Sequence, residues 1–260
     1  MRALLAVAAA LLAAGCASAP DPEPPAAPTR LRAEVLDTGP HDPDAFTQGL
    51  EIHDGVLYEG TGLEGRSELR ATDPDTGAVQ RSVELPEEMF GEGITVAGDS
   101  IWQLTWQDGV AIRRDRTSLA EVGRASYDGE GWGLCLDGDR LVMSDGTDRL
   151  TFRDPGTFAE TGEQKVTDSD GEPVEHLNEL ECVDGTVYAN VWQTDRIVRI
   201  DPAAGRVTAT IDLTGLLPAQ DSAGVDVLNG IAAIPGTDEF LVTGKLWPTM
   251  FRVRFVTADQ

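Results

Sequence analysis

Five short segments hold the side chains of this sequence that are equipped to act together. They are Phe46-Thr47-Gln48-Gly49-Leu50, Phe90-Gly91-Glu92-Gly93-Ile94, Glu130-Gly131-Trp132-Gly133-Leu134, Leu177-Asn178-Glu179-Leu180-Glu181 and Leu228-Asn229-Gly230-Ile231-Ala232. At matching positions they offer a carboxyl (Glu92), two amides (Gln48, Asn178), an indole (Trp132) and a second carboxyl (Glu179). A carboxyl held among apolar groups can take a proton from one nitrogen and hand it to another. Amide N–H groups can meet a carbonyl oxygen as it gathers charge, and an indole can exclude water. The same groups would alternatively hydrogen-bond neighbouring strands together. Other chemistries are poorly served. His41, His53 and His176 are the only histidines, and none has a metal ligand's spacing to a Cys, Asp or Glu. There is no Gly-x-Ser-x-Gly turn and no phosphate-cradling loop. The Asp-rich stretch Ser144-Asp145-Gly146-Thr147-Asp148 reads as a β-turn rather than a calcium loop.

The elements that must position these residues are strands. Beyond residue 30 no 3.6-residue apolar period is sustained. Short alternating runs such as Leu50-Glu51-Ile52, Arg140-Leu141-Val142-Met143 and Thr186-Val187-Tyr188-Ala189 dominate, separated by Asp-Gly, Gly-Asp and Asp-Pro. The third residues of the five segments fall at 48, 92, 132, 179 and 230, at steps of 44, 40, 47 and 51. A period in the forties with about four short strands per unit is the signature of propeller blades. The expectation is an all-β, five-bladed β-propeller over residues 31–257. Its last repeat has about three strands, and Leu31-Arg32-Ala33-Glu34-Val35-Leu36 would supply the missing outer one and close the ring. First strands of blades run along the central channel, so the five segments would meet at one rim.

Six motifs in order along residues 40–255 give a resemblance. Besides the first four segments above, they include Ala189-Asn190-Val191-Trp192 and Thr243-Gly244-Lys245-Leu246-Trp247-Pro248. Together they resemble the plant and bacterial glutaminyl-peptide cyclotransferases, a family of five-bladed propellers with a metal-independent site at one channel mouth. The resemblance implies a catalyst without cofactor that converts the N-terminal Gln of peptides or proteins to pyroglutamate and releases ammonia. It also implies roles. Glu92 would transfer the protons, while Lys245, Asn178 and Gln48 would complete the catalytic polar set. Phe46, Trp106, Trp132 and Trp192 would bind the substrate. Glu64 stands where the family more usually has an aromatic residue.

The implied reaction suits these residue types. The substrate's α-amine attacks its own γ-carboxamide, so both reactants arrive tethered. Effective molarities of ~10⁵–10⁸ M are available to well-oriented intramolecular reactions. The amine must lose a proton to attack, and nitrogen must gain one to leave. A carboxyl with a pKa raised toward neutrality can do both, for gains of roughly 10²- to 10⁴-fold. Lys245 and the amides of Gln48 and Asn178 are candidates to stabilise the oxyanion. Two other functions fit a propeller: a module that binds peptides or surface partners without turnover, and a hydrolase such as a lactonase with a channel-bound metal.

Charge and termini bound the setting. Lys plus Arg number 20 against 45 Asp plus Glu, a formal charge of −25, which repels phosphate backbones and argues against a nucleic-acid partner. Met1-Arg2 and the apolar run Ala3–Ala14 resemble an export signal too short to span a bilayer. Leu12-Ala13-Ala14-Gly15-Cys16 resembles a lipobox, with Ala13 where leucine is usual, so residues 1–16 are expected to be a lipoprotein-type signal with lipidation at Cys16. Residues 17–30, rich in Pro and Ala, would then tether an exported domain to a bacterial membrane, with no other membrane contact. A monomer is expected. Cys135 and Cys182 occupy equivalent places in neighbouring repeats, where a disulfide is possible in an oxidising compartment; two free buried thiols are the alternative.

Overall fold

Short runs bounded by Asp-Gly and Asp-Pro pairs fold as twenty strands among the described residues, and helix is limited there to the 3-10 turn Ala219–Asp221. The computed structural model describes residues 27–258. Segment 1–16 with Cys16, and tether residues 17–26, lie outside them.

Strand β1 (Thr29–Pro40) precedes four antiparallel meanders. The first contains β2 (Thr47–His53), β3 (Val56–Thr61), β4 (Glu68–Thr72) and β5 (Val79–Glu84). The second contains β6 (Gly91–Ala97), β7 (Ser100–Thr105), β8 (Val110–Asp115) and β9 (Glu121–Ser126). The third contains β10 (Leu134–Asp137), β11 (Arg140–Ser144), β12 (Arg149–Arg153) and β13 (Glu160–Lys165). The fourth contains β14 (Leu177–Val183), β15 (Thr186–Val191), β16 (Arg196–Asp201) and β17 (Arg206–Asp212). Strands β18 (Leu228–Ala233), β19 (Glu239–Gly244) and β20 (Thr249–Thr257) follow. Beside β20 lies β1, antiparallel from Leu31 opposite Thr257 to Pro40 opposite Thr249.

That strand starts two residues ahead of the expected boundary and runs past Leu36. Its first residues also pair in parallel with β17, Thr29 opposite Ala209 and Arg32 opposite Asp212, so the last two units share one eight-stranded sheet. Local pattern could not disclose β17 as a partner, and that pairing is what draws Thr29 and Arg30 out of the tether.

Turn chemistry explains the hairpins. Asp54-Gly55 and Asp184-Gly185 both take positive φ at both residues (50° and 75°, 49° and 75°), the mirror-image turn that matches strand twist. After β4 and β12, Asp73 Oδ1 accepts from the Asp75 and Thr76 amides, and Asp154 Oδ1 from those of Gly156 and Thr157.

Burial grades across each meander. Strand β6 is buried along almost its whole length, whereas β5, β9 and β13 are largely exposed. Apolar clusters lie between sheets, such as Leu69, Ile94, Ile101 and Leu119, or Cys135, Val142, Leu177 and Val187. Each fully buried Leu or Ile there stabilises by roughly 1.5–3 kcal/mol. The five first strands form a cycle: β2 lies against β6, β6 against β10, β10 against β14, β14 against β18, and β18 against β2. The approach is tight. Gly93 donates its amide to Trp132 O at 2.8 Å, and a Cβ on Gly93 would sit 2.7 Å from that oxygen. The Cys135–Cys182 disulfide links β10 to β14 with Cα atoms 5.5 Å apart. The fold is therefore all-β, with sheets arranged as in a propeller-like architecture.

Candidate active site

The motif residues stand where the first hairpins lose regular pairing. In β2–β3, Thr47 pairs with Thr61 and Gly49 with Gly60, leaving Gln48 as the extra residue. Glu92 and Gly93 face Leu104 alone between the pairs Gly91–Thr105 and Ile94–Gln103. Asn178 and Glu179 bulge likewise between Leu177–Val191 and Leu180–Ala189, and Asn229 and Gly230 between Leu228–Gly244 and Ile231–Val242. A bulge bends its strand and re-aims a side chain, and bulges cluster beside active sites. Four units thus turn polar side chains toward one end of the cycle.

Glu92 is buried. Its Oε1 accepts from Gln48 Nε2 at 3.0 Å, and its Oε2 has no hydrogen-bond partner among the described residues. Gln48 is steadied in turn by Asn229, whose Nδ2 donates to Thr47 O at 3.0 Å and lies 3.4 Å from Gln48 Oε1. Burial pushes the Glu92 carboxyl well above the usual range. Lys245 pulls it down in part, and Glu130 pushes it up. Lys245 is buried too, and burial lowers its ammonium while Glu92 and Asp226 raise it. Its Nζ lies 4.8 Å from the centre of the Phe46 ring, a cation–π contact. The two groups are thus drawn toward their neutral forms, the condition in which protons move between them and a ligand at neutral pH.

Aromatic rings form two runs beside this pair, joined through Glu130. Phe46 meets Phe90 edge-on at 6.1 Å between centroids, and Phe90 meets Trp106 at 5.7 Å. Across Glu130 comes Trp132, which meets Trp192 edge-on at 5.5 Å; Trp192 in turn meets His176 at 5.8 Å. Glu130 Oε2 accepts the indole N–H of Trp106 at 2.8 Å and of Trp132 at 2.9 Å. Phe46, Gln48, Glu92, Trp106, Trp132, Trp192 and Lys245 are brought together by these contacts. Asn178 is buried on its bulge, and its main-chain carbonyl oxygen accepts from Ser144 Oγ at 2.6 Å.

Glu179 has a different fate from its neighbour. Its carboxylate oxygens accept the Leu50 amide at 3.2 Å and the Ile231 amide at 2.9 Å, which joins β14 to β2 and β18. Asp145 Oδ1 accepts from the Thr147 amide and hydroxyl, as in a turn. Phe90, Glu130 and Asn229 are the residues that pattern reading passed over. All three sit in the repeating segments, and that position was the available signal.

The loop carrying Lys245 is anchored from behind. Leu246 adopts φ 62°, uncommon for leucine, and donates its amide to Ala45 O at 2.7 Å. His41 Nδ1 donates to Trp247 O at 2.6 Å, and its Nε2 pairs with Glu59 Oε1 at 2.9 Å. Arg70 reaches Glu59 at 3.1 Å and Asp42 at 2.7 Å. Burial opposes ionisation of Glu59, yet His41, Arg70 and the Thr47 hydroxyl hold it down at about 2. Among the described residues, no three His, Cys, Asp or Glu side chains converge as metal ligands would. A groove of about 1010 Å³ between the start of β1, β16–β17 and the 168–175 loop contains none of the motif residues.

Fold and site together define a class: an all-β protein of propeller-like sheets whose first strands converge on a buried carboxyl and lysine under aromatic cover. Residues 5–255 match the model of the glutamine cyclotransferase family, and the chain belongs to that family. It is 40% identical over 232 residues to glutaminyl-peptide cyclotransferase of Arabidopsis thaliana, covering 87% of this chain and 72% of that protein. The crystal structure of Myxococcus xanthus glutaminyl cyclase superposes with a TM-score of 0.82 at 38% identity, over 89% of this chain and 100% of that one.

Proposed function

We propose that the protein is a glutaminyl-peptide cyclotransferase, closing the N-terminal glutamine of peptides and proteins to pyroglutamate with release of ammonia, and that it needs no metal. The observation that carries this reading is the buried Glu92 carboxyl, with one oxygen held by Gln48, the other without a partner among the described residues, and Lys245 beside it. The substrate's α-nitrogen attacks its side-chain carboxamide carbon and forms a C–N bond. Glu92 takes the proton the amine sheds. The carbonyl oxygen gathers charge near Lys245 and the amides of Gln48 and Asn178. Glu92 then delivers its proton to the departing nitrogen, the old C–N bond breaks, and ammonia leaves. Phe46, Trp106, Trp132 and Trp192 hold the side chain curled and keep water from the intermediate. Every proton transfer is supplied by side chains, and this is the ground for proposing metal independence.

Three further proposals concern the setting. The cycle of five first strands supports five blades, with β1 as the outer strand that closes the last. The site is assembled within one chain, which supports a monomer. Residues 1–16 direct export, with lipidation at Cys16 and residues 17–28 as tether up to the start of β1; mass spectrometry of the mature N-terminus tests this.

Ammonia release from a Gln-initiated dipeptide, with and without a strong chelator, tests the activity. Chelator-resistant release that falls roughly 10²- to 10⁴-fold in Glu92→Gln is expected. Absence of release from the folded protein would leave a peptide-binding module, and release abolished by chelator would leave a metal-dependent enzyme.

A further inference from the structure

Glu130 has no part in the reaction written above, yet three side chains from the mouth of the site are hydrogen-bonded to it. Its Oε2 accepts both indole N–H groups, Trp106 at 2.8 Å and Trp132 at 2.9 Å, and its Oε1 accepts Gln107 Nε2 at 2.8 Å. The two indoles come from different sheets. Trp106 follows the end of β7, with its amide bonded to Phe90 O; Trp132 precedes β10, with its amide bonded to Ser144 O. Packing alone leaves Trp106 loosely held. It is 36% exposed and rests edge-on against Phe90. An indole has a single donor, so one shared acceptor fixes the swing of both rings at once.

We propose that Glu130 is a positioning residue of the cyclisation site, pinning Trp106 and Trp132 at the separation and tilt that shape the pocket for the curled glutamine side chain. This rests on the reading that those indoles wall the pocket. Burial is the largest single influence on Glu130 and favours its protonated form, but the donors from Trp132, Gln107 and Trp106 together outweigh it and hold the carboxyl below its usual range. The acceptor is thus ionised at neutral pH, and such bonds are roughly twice as strong as neutral ones. Geometry and charge can be separated by substitution. Glu130→Gln keeps an oxygen for the two indoles and loses the charge; Glu130→Ala loses both. The charge also acts on Glu92, which is faced by Lys245 and Glu130, so its removal lets the Glu92 carboxyl fall.

The test combines steady-state ammonia release from a Gln-initiated dipeptide with the indole N–H resonances of the whole protein. For Glu130→Ala, two indole signals move and KM rises, with kcat/KM down on the order of tenfold, inside the ~10²-fold that a 1 Å misplacement can cost. For Glu130→Gln, KM stays close to that of the parent, while the limb of the pH profile set by Glu92 moves to lower pH. Unmoved indole signals with parental KM in Glu130→Ala would overturn the proposal, as would Glu130→Gln raising KM as much as Glu130→Ala does. Should Glu130→Ala not fold, KM and the pH limb in Glu130→Gln decide. Should the parent protein release no ammonia, the reading of the site falls, and the indole resonances still decide whether Glu130 pins the rings.

Discussion

Three carboxyls line the cycle of first strands beyond the candidate site, and they make stability depend on pH in a defined direction. Glu51 lies three residues past Gln48 and Glu181 three past Asn178, so both stand about 10 Å further along their strands. Glu51 Oε2 accepts the Val96 amide at 2.7 Å, and Glu179 accepts the amides of Leu50 and Ile231. Burial raises Glu179 and Glu181 well above the usual range, and the other carboxyls of the cluster add to it. Burial likewise pushes Glu51 from 4.5 up to about 7, against the lowering pull of the Val96 amide and the Thr95 hydroxyl. The unfolded chain releases the Glu51 proton near 4.5, whereas the folded chain keeps it until about 7. The stability this group contributes is fully present below the lower value and is lost as pH climbs through the higher one. At about 1.4 kcal/mol per pKa unit, the gap amounts to about 3 kcal/mol. Glu51→Gln keeps an acceptor for Val96 and removes the titration. Unfolding followed across that window should show the parent losing about 3 kcal/mol relative to the variant, or about 6–12 °C in Tm for a chain of this size. His41, raised because Glu59 and the Trp247 carbonyl outweigh burial, also loses its contribution as pH rises, but it is common to both proteins and cancels in their difference. Glu179 and Glu181 are let down by loss of the Glu51 charge, which widens the difference in the same direction. Parallel stability curves for parent and variant would refute the reasoning.

Lys245→Met removes the cation that pulls Glu92 down, so the pH limb set by Glu92 should move upward; kcat should also fall about 10²- to 10³-fold if Lys245 meets the oxyanion. A pH profile of kcat/KM with an unmoved limb would count against the pairing. Gly146 has φ 81°, and a Cβ there would lie 2.6 Å from the Trp132 ring. Gly146→Ala should therefore cost about 1–2 kcal/mol of backbone strain and tilt the indole, lowering kcat/KM well beyond the loss in Tm; parental kinetics would show that the Trp132 position is not critical. The Cys135–Cys182 bond closes a loop of 47 residues, worth about 4 kcal/mol of unfolded-state entropy. Replacing both cysteines with alanine should lower Tm by about 8–16 °C, an outcome that calorimetry with and without reductant can check; two titratable thiols in the native parent would contradict it.

What was legible in the sequence followed from a backbone requirement that repeats. Each first strand comes close to the next and four of the five bulge there, so Gln48-Gly49, Glu92-Gly93, Asn178-Glu179 and Asn229-Gly230 recur at a fixed place whatever their side chains do. The period therefore exposed the strands and the candidate positions together. It could not separate Asn178 from Glu179. The two are adjacent on one bulge, and only the nearness of the Leu50 and Ile231 amides turns Glu179 into a strut between sheets. Nor could it single out Glu130, whose meaning depends on donors at Trp106 and Gln107, or pair β1 with β17, a contact between segments about 180 residues apart. The same geometry gives the site its chemistry. A bulge frees a side chain from the ladder, and the neighbouring strands bury it. The Glu92 carboxyl is raised because its place between first strands buries it. Closing the cycle of strands and raising that carboxyl are thus one event, and a substitution that loosens the approach of β6 to β10 at Gly93 should weaken both together.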